Sequence, residues 1–355
     1  MAAHLGHYGD HKPQRTSMEL QRNASELTGI LGAHKIESLQ AINDPILWRS
    51  YRDTYAKAQK LEIITPYPIQ IDFELNATCN LACPMCPLSV ESNAEKSHIN
   101  FPYELFCKII DDGVPKGLKA IKLNYLNEPL LRKDLERFIA YAKKAGVLDV
   151  YFSSNGLLLN ENRIRSLVDS GLDRLQISID AHSKEVYDII RPGGDYKRVV
   201  ENVLALLSYK KQANSLTPLV RVNFVRTQRN EFELQDFLAF WQDKADMIGV
   251  QEMVLPTKSK ESIRSKTTEK KQHFSCSFPY KQLVITAEGN VLPCCTFWGE
   301  KLALGNILES YKQSGRVDIE SFWGKMQELR ELHKRGEFAS NEICKKCVLG
   351  ALENA

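Results

Sequence analysis

From Ile69 to Pro256, short apolar runs with period-2 alternation take turns with longer segments whose apolar positions recur every three to four residues. The short runs Ile69–Leu75, Lys119–Tyr125, Asp149–Ser154, Arg174–Asp180, Val220–Arg226 and Val250–Pro256 predict six strands. Segments near 102–112, 135–145, 161–170, 196–212 and 231–243 predict helices. Asp134, Asn160 and Ser183 stand where helix starts need a capping oxygen, and Gly113, Gly146 and Gly171 follow apolar-periodic stretches where a left-handed residue belongs. Strands alternating with helices of this length make βαβ units and a parallel sheet. In the fourth run, alternation puts Gln176, Ser178 and Asp180 on one face, where packing leaves polar residues unexplained.

Outside this stretch the pattern changes twice. Residues 1 to about 43 are weakly patterned, and His4, His7 and His11 read as part of a polar tail rather than a metal site. A helix then starts at Asp44-Pro45 and places Trp48, Tyr51, Tyr55 and Ala58 on one face, packed on the outside of the main domain. After Thr257 the cations Lys258, Lys260, Arg264, Lys266, Lys270 and Lys271 alternate with serines and threonines without apolar period, as in a solvated linker. Leu283 to Cys295 reads as a β-hairpin turning at Gly289-Asn290, followed by an amphipathic segment through Phe322, Trp323, Met326, Leu329, Leu332 and His333. The expected division is 1–65 as tail and helical extension, 66–257 as an α/β domain, 258–275 as linker and 276–355 as a small C-terminal domain.

Composition narrows the class. The chain has 355 residues, 43% hydrophobic and 26% charged, which is ordinary for globular protein. A net charge of +3 argues for neither a nucleic-acid surface nor a membrane patch, and no apolar run approaches the ~20 residues a membrane helix needs. No signal-peptide pattern is seen, so nine cysteines read as metal ligands or free thiols rather than disulfides, in a cytoplasmic protein.

The cysteines carry the chemistry. Cys79, Cys83 and Cys86 follow the first strand in a C-x-x-x-C-x-x-C spacing, and Pro84 and Pro87 keep that stretch out of regular helix. Three thiolates on a wrapping loop suit an iron–sulfur cluster with one iron left open; three reduced thiols or part of a zinc site are the alternatives. A second set comprises Cys276, Cys294 and the pair Cys344 and Cys347, four thiolates that suit zinc as well as iron–sulfur. Cys295, adjacent to Cys294, can exchange with it as a ligand. Cys107, among Phe106, Ile109 and Ile110, reads as a small packed thiol.

The Cys79/Cys83/Cys86 motif resembles that of the radical S-adenosylmethionine (radical SAM) superfamily. In that family the open iron chelates the methionine moiety, and one electron cleaves the sulfonium to a 5′-deoxyadenosyl radical. The resemblance implies an open, partial (β/α)₆ TIM-like barrel with its site at the carboxyl ends of the strands. It implies that Glu128, in Asn127-Glu128-Pro129, receives the methionine amino group, with Asn127 where the family has glycine. Ser154-Asn155-Gly156 resembles the family's Thr-Asn-Gly, Arg191 the arginine turned on the methionine carboxylate, and Met85 the residue beside the adenine. Ser178 and Asp180 then face the cofactor's ribose and polar groups. The C-terminal region resembles the SPASM/twitch auxiliary-cluster domain in a short form, implying two 4Fe–4S clusters in all. The short form is similar to that of members that dehydrogenate an alcohol. The expectation is therefore oxidation of a sugar or aminocyclitol carbinol, with flavodoxin or ferredoxin as electron donor and no nucleic-acid or membrane partner. Epimerisation, with Cys295 as hydrogen donor, is second and peptide modification third; a non-catalytic iron–sulfur or zinc protein is the reading from another class.

Overall fold

The computed structural model describes residues 19–23, 26–90, 99–253 and 275–349. His4, His7, His11 and the cations from Lys258 to Lys271 lie outside the described residues.

Six parallel strands form the centre of one open sheet. They are β3 (Gln70–Phe73), β4 (Ala120–Lys122), β5 (Asp149–Ser154), β6 (Arg174–Ser178), β7 (Leu219–Arg226) and β8 (Met247–Glu252). An antiparallel pair, β1 (Glu19–Asn23) and β2 (Glu26–Leu31), adds to β8 at one edge. At the other edge β9 (Gln282–Ile285) runs parallel to β3, and β10 (Asn290–Leu292) and β11 (Gly305–Asn306) follow it. The result is an eleven-stranded α/β sheet that does not close, an open partial barrel extended by the C-terminal hairpin.

Both faces of the central strands are buried, and their chemistries are opposed. Ile71, Phe73, Leu175, Ile177, Val220 and Val222 point to the helix side and join one core with Phe106, Phe138 and Val203. Their neighbours Gln70, Asp72, Gln176, Arg221 and Asn223 line the interior instead. Burying each large apolar side chain stabilises by roughly 1.5–3 kcal/mol, so this single core fixes which face turns inward. Parallel pairing sets polar residues side by side: Asp72 opposite Lys122, Gln176 opposite both Ser153 and Arg221, and Ser178 opposite Asn223.

The helices follow the predicted pattern with particular shifts. Asn160 and Ser183 cap their helices, accepting from the Arg163 and Val186 amides, whereas Asp134 makes no cap bond and takes the Arg132 guanidinium at 2.9 Å instead. Gly113 does not end its helix. The helix runs Tyr103–Lys116 and stops at Gly117 (φ +117°), while Gly113 lets Tyr67 pack so closely that a Cβ would stand 2.9 Å from its hydroxyl. Gly146 and Gly171 do take positive φ at helix ends. The last strand, β8, begins at Met247 rather than Val250, because Gly249 pairs with Asn223 and Ile30; residues 254–256 lie outside the described residues. The β1–β2 hairpin was not legible, since Glu19 to Leu31 has only a short alternation.

Helix α1 (Pro45–Gln59) is capped by Asp44, which accepts from the Ile46 and Leu47 amides. It does not merely lie outside the barrel. Trp48, Tyr51 and Ala58 pack with Ile69, Ala120, Leu148, Leu219 and Met247 at the amino ends of the strands, so α1 floors the barrel. There the Tyr51 hydroxyl donates to Asp149 Oδ2 at 3.0 Å, and the Arg174 guanidinium grips the same carboxylate through two bonds of 2.8 Å. Asp149 has no exposed side-chain surface. Removing one member of such a buried pair strands the other in a dry site, at a cost of about 3 kcal/mol. Asp149→Ala is expected to lower the unfolding free energy by about that much in urea titration; a loss under about 0.5 kcal/mol, the range of an ordinary surface change, would contradict the role given to this pair.

Candidate active site and cysteine-lined cavities

The loop after β3 carries Cys79, Cys83 and Cys86 into a cavity of about 210 Å³ at the carboxyl ends of the strands. A local turn orders the cysteines, with the Cys86 amide donating to the Cys83 carbonyl at 2.9 Å. The same cavity is lined by Met85, Asn127, Glu128, Ser154, Asn155, Ser178 and Arg191. Tertiary structure thus gathers residues that lie more than a hundred positions apart.

Each polar group there is held by neighbours. Glu128 is buried; its carboxylate accepts from the Leu130 amide at 3.0 Å, the Ser154 hydroxyl at 2.8 Å and the Asn155 amide at 2.7 Å. Burial pushes its pKa up, and those donors pull against the shift. A carboxylate offers about four acceptor positions, so one remains for an ammonium. Asn127 turns its side chain into the loop, donating to Asn76 Oδ1 at 2.8 Å and accepting from the Tyr125 amide at 3.0 Å. Asn155 donates to Asn80 Oδ1 at 2.8 Å, tying the third strand end to the cysteine loop.

Asp180 departs from the alternation expected of it. Strand β6 ends at Ser178, and Asp180 adopts a left-handed φ of +62°. Its carboxylate accepts from Arg191 Nε at 2.9 Å and from the Val225 amide at 2.8 Å. It therefore aims Arg191, whose Nη1 lies 3.8 Å from Cys83 Sγ. Burial works to lower the Arg191 pKa, but the Asp180 carboxylate and the Cys83 sulfur more than offset it and hold the charge. Burial raises all three thiols, Cys79 to about 11, with Arg191 opposing the shift at Cys83 and Cys86.

A second cavity lies in the C-terminal region, ringed by Cys276, Cys294, Cys344 and Cys347. The hairpin formed by β9 and β10 carries Cys294 back towards Cys276, and Asn341 caps the turn beneath Cys344 through the Cys344 amide at 3.0 Å. His333, absent from the sequence-derived candidates because it reads as one more position on an amphipathic helix, stands beside the thiols. Its Nε2 is 3.5 Å from Cys344 Sγ, and its Nδ1 accepts from the Cys276 amide at 3.3 Å. Burial raises the thiol pKa values here too, that of Cys344 to about 12. Cys295 packs against the same hydrophobic cluster but lines the barrel interior rather than the thiol-ringed cavity.

That interior is a third cavity, of about 320 Å³, running from α1 up to Ser153 and Ser178, which also line the Cys79 cavity. Gln70, Asp72, Lys122, Arg174, Arg221, Asn223 and Lys281 line it and were not singled out from the sequence. The signal was present in Gln70-Ile71-Asp72 and Arg221-Val222-Asn223, the same alternation recognised in β6.

The fold and these cavities define an open α/β barrel with its polar and thiol groups at the carboxyl strand ends. The radical SAM superfamily model matches residues 73–223, and the SPASM model, an iron–sulfur cluster-binding domain, matches residues 276–348. The chain belongs to the radical SAM superfamily and carries a C-terminal SPASM domain. A probable GTP 3′,8-cyclase of Methanocaldococcus jannaschii is 32% identical over 176 residues, 50% of this chain and 56% of that protein. This chain thus spans about half the length of such cyclases. The S-adenosyl-L-methionine-dependent 2-deoxy-scyllo-inosamine dehydrogenase of Niallia circulans is 24% identical over 293 residues, 78% of this chain and 91% of that protein. Among solved structures, native anSMEcpe with bound AdoMet aligns with a TM-score of 0.52 at 16% identity, covering 71% of this chain and 82% of that one.

The two domains imply 4Fe–4S clusters and S-adenosylmethionine. The donor chemistry fits both groups: three thiols share a cavity with a carboxylate that keeps one free acceptor position, and four thiols ring another. Among the described residues no three His, Cys, Asp or Glu side chains converge as tightly as a single ion requires. Cys294→Ala is expected to reduce reconstituted iron from about eight to about four per chain, while Cys295→Ala keeps about eight. Iron analysis with electron paramagnetic resonance checks this, and the reverse result would exchange the two residues.

Proposed function

We propose that the protein is a radical SAM oxidoreductase that abstracts hydrogen from a carbinol carbon of a sugar-like or aminocyclitol alcohol. When bound, the Cys79/Cys83/Cys86 cluster and S-adenosylmethionine supply the one-electron cleavage and the carbon radical that abstracts the hydrogen. In this reading Glu128 takes the methionine ammonium, Arg191 the methionine carboxylate, and Ser154, Asn155 and Ser178 the remaining polar groups, with Met85 beside the adenine. Asp180 orients Arg191 and does not itself reach the cofactor. Cys276, Cys294, Cys344 and Cys347 would hold the auxiliary cluster, and the chemistry it would supply there is acceptance of one electron. An external one-electron donor such as flavodoxin or ferredoxin supplies the first.

The observation that carries the oxidative reading is the divergence at Cys294-Cys295. Cys294 lines the thiol-ringed cavity and Cys295 the barrel interior, which in this reading are the places of the auxiliary cluster and the substrate. The likeness to the Niallia circulans dehydrogenase over 78% of the chain adds support for an alcohol substrate. Within the described residues no helix is long and apolar enough to cross a membrane, and a small-molecule substrate suits a cavity of about 320 Å³.

Cys295 also favours a second reading. A thiol facing the interior can return a hydrogen atom to a substrate radical, which is epimerisation. The two predict different outcomes with reduced, cluster-loaded protein under anaerobic conditions. A dehydrogenase consumes one S-adenosylmethionine per two-electron-oxidised product and survives Cys295→Ala, whereas an epimerase gives an isomer of equal mass and stalls in that variant. Failure to release 5′-deoxyadenosine at all would remove both.

A further inference from the structure

The barrel interior holds two lysines that its own carboxylates do not pair. Two other cations there are matched within the fold: Arg174 by Asp149, and Arg52 by Glu37 at 3.0 Å. A third, Arg221, donates to Gln176 at 2.6 Å. Lys122 and Lys281 remain, with Asp72 as the carboxylate lining the same space. Lys281 is 2% exposed and sits near the rings of Tyr55 and Phe278, 4.9 and 5.3 Å from their centroids. Among the described residues its ammonium has no hydrogen-bond acceptor or ion-pair partner, and the same holds for Lys122. Asp72 is engaged by the Gln70 amide at 2.6 Å, and burial raises its pKa despite both lysines. A buried ammonium without an acceptor is costly, and proteins ordinarily pair it.

A second unmet group lies in the same wall. Asn223 is 4% exposed, and its Oδ1 is buried with no hydrogen-bond partner. Gly249 on β8 makes room for it: a Cβ there would stand 2.5 Å from that oxygen. Gln176 accepts from Arg221 and, at 3.1 Å, from Ser153, so its amide nitrogen remains to donate to a ligand oxygen. The space adjoins the Cys79 cavity through Ser153 and Ser178. A molecule whose charged end lay between the two lysines would present its other end to that cavity.

We infer that the substrate is anionic: a polyol bearing a phosphate or carboxylate that is seated between Lys122 and Lys281, with Gln176 and Asn223 reading its hydroxyls. The inference deepens the proposed function and rests on it for the identity of the site as the substrate's. The lysines provide compact cationic donors for an oxyanion, and the surrounding low dielectric strengthens each contact. The neutral amides at the upper end suit hydroxyl groups, which need donor and acceptor together.

Calorimetric titration of the full-length, cluster-loaded protein tests it at fixed ionic strength, with inorganic phosphate, glucuronate and glucose as probes. Phosphate or glucuronate is expected to bind about tenfold or more tightly than glucose, and the tighter of the two names the anionic group. Lys122→Gln and Lys281→Gln are each expected to weaken the anion about tenfold or more without changing glucose binding, while Lys281→Arg retains it. Lys122 is partly exposed, so Lys122→Gln carries the test alone if Lys281→Gln does not fold. Equal affinity for all three probes, or unchanged anion affinity in folded Lys122→Gln, would overturn the inference. Release of 5′-deoxyadenosine is a separate readout. Anion binding without that release sinks the functional reading, and release without anion binding sinks this inference alone.

Discussion

Every strand of the central sheet must satisfy two buried faces of opposite chemistry. Parallel strands covered on both sides usually read as continuous apolar runs. Here Ile71, Leu175 and Val222 are clamped beneath helices, while Asp72, Gln176 and Asn223 turn inward. A polar inner face cannot collapse as an apolar one does, because each buried donor or acceptor needs a partner. Partners from neighbouring strands meet part of that need, as Ser153 and Arg221 do for Gln176. The rest of the interior stays open, floored by α1 and continuous with the mouth.

At the mouth, the same demand produces a rigid frame. Glu128 accepts from the Ser154 hydroxyl and the Asn155 amide, and the side-chain amides of Asn127 and Asn155 bind the strand ends to the cysteine loop. Asp180 leaves the strand conformation to hold Arg191 against Cys83. Preorganised charges of this kind need little rearrangement when a charged ligand arrives. The C-terminal region is joined to this frame through backbone bonds, since β9 pairs with β3 along Gln70 to Phe73. One continuous sheet therefore spaces the two thiol sets.

The βαβ order, the helix spans and the two cysteine groups were legible because each rests on local chemistry. A strand's period of two, a helix's period of 3.6, a capping oxygen and a proline all act over a few residues. Legibility failed where a distant contact overrode the local rule. Gly113 reads as a helix end, but its real constraint is Tyr67, far away in the chain. Asp180 reads as one more inward residue until Arg191 and the Val225 amide claim it. His333 reads as part of an amphipathic face until Cys276 and Cys344 close around it.

By itself the sequence determined the open α/β class, the family and the presence of two thiol sets, since spacing along a chain is enough to state which groups one loop or one turn can offer. Folding in three dimensions was needed to show that Cys294 and Cys295 line different cavities, that α1 seals the barrel from below, and that Lys122 and Lys281 line the same interior space as Asp72. Those are facts of juxtaposition, set by which strand pairs with which, and no local pattern encodes them.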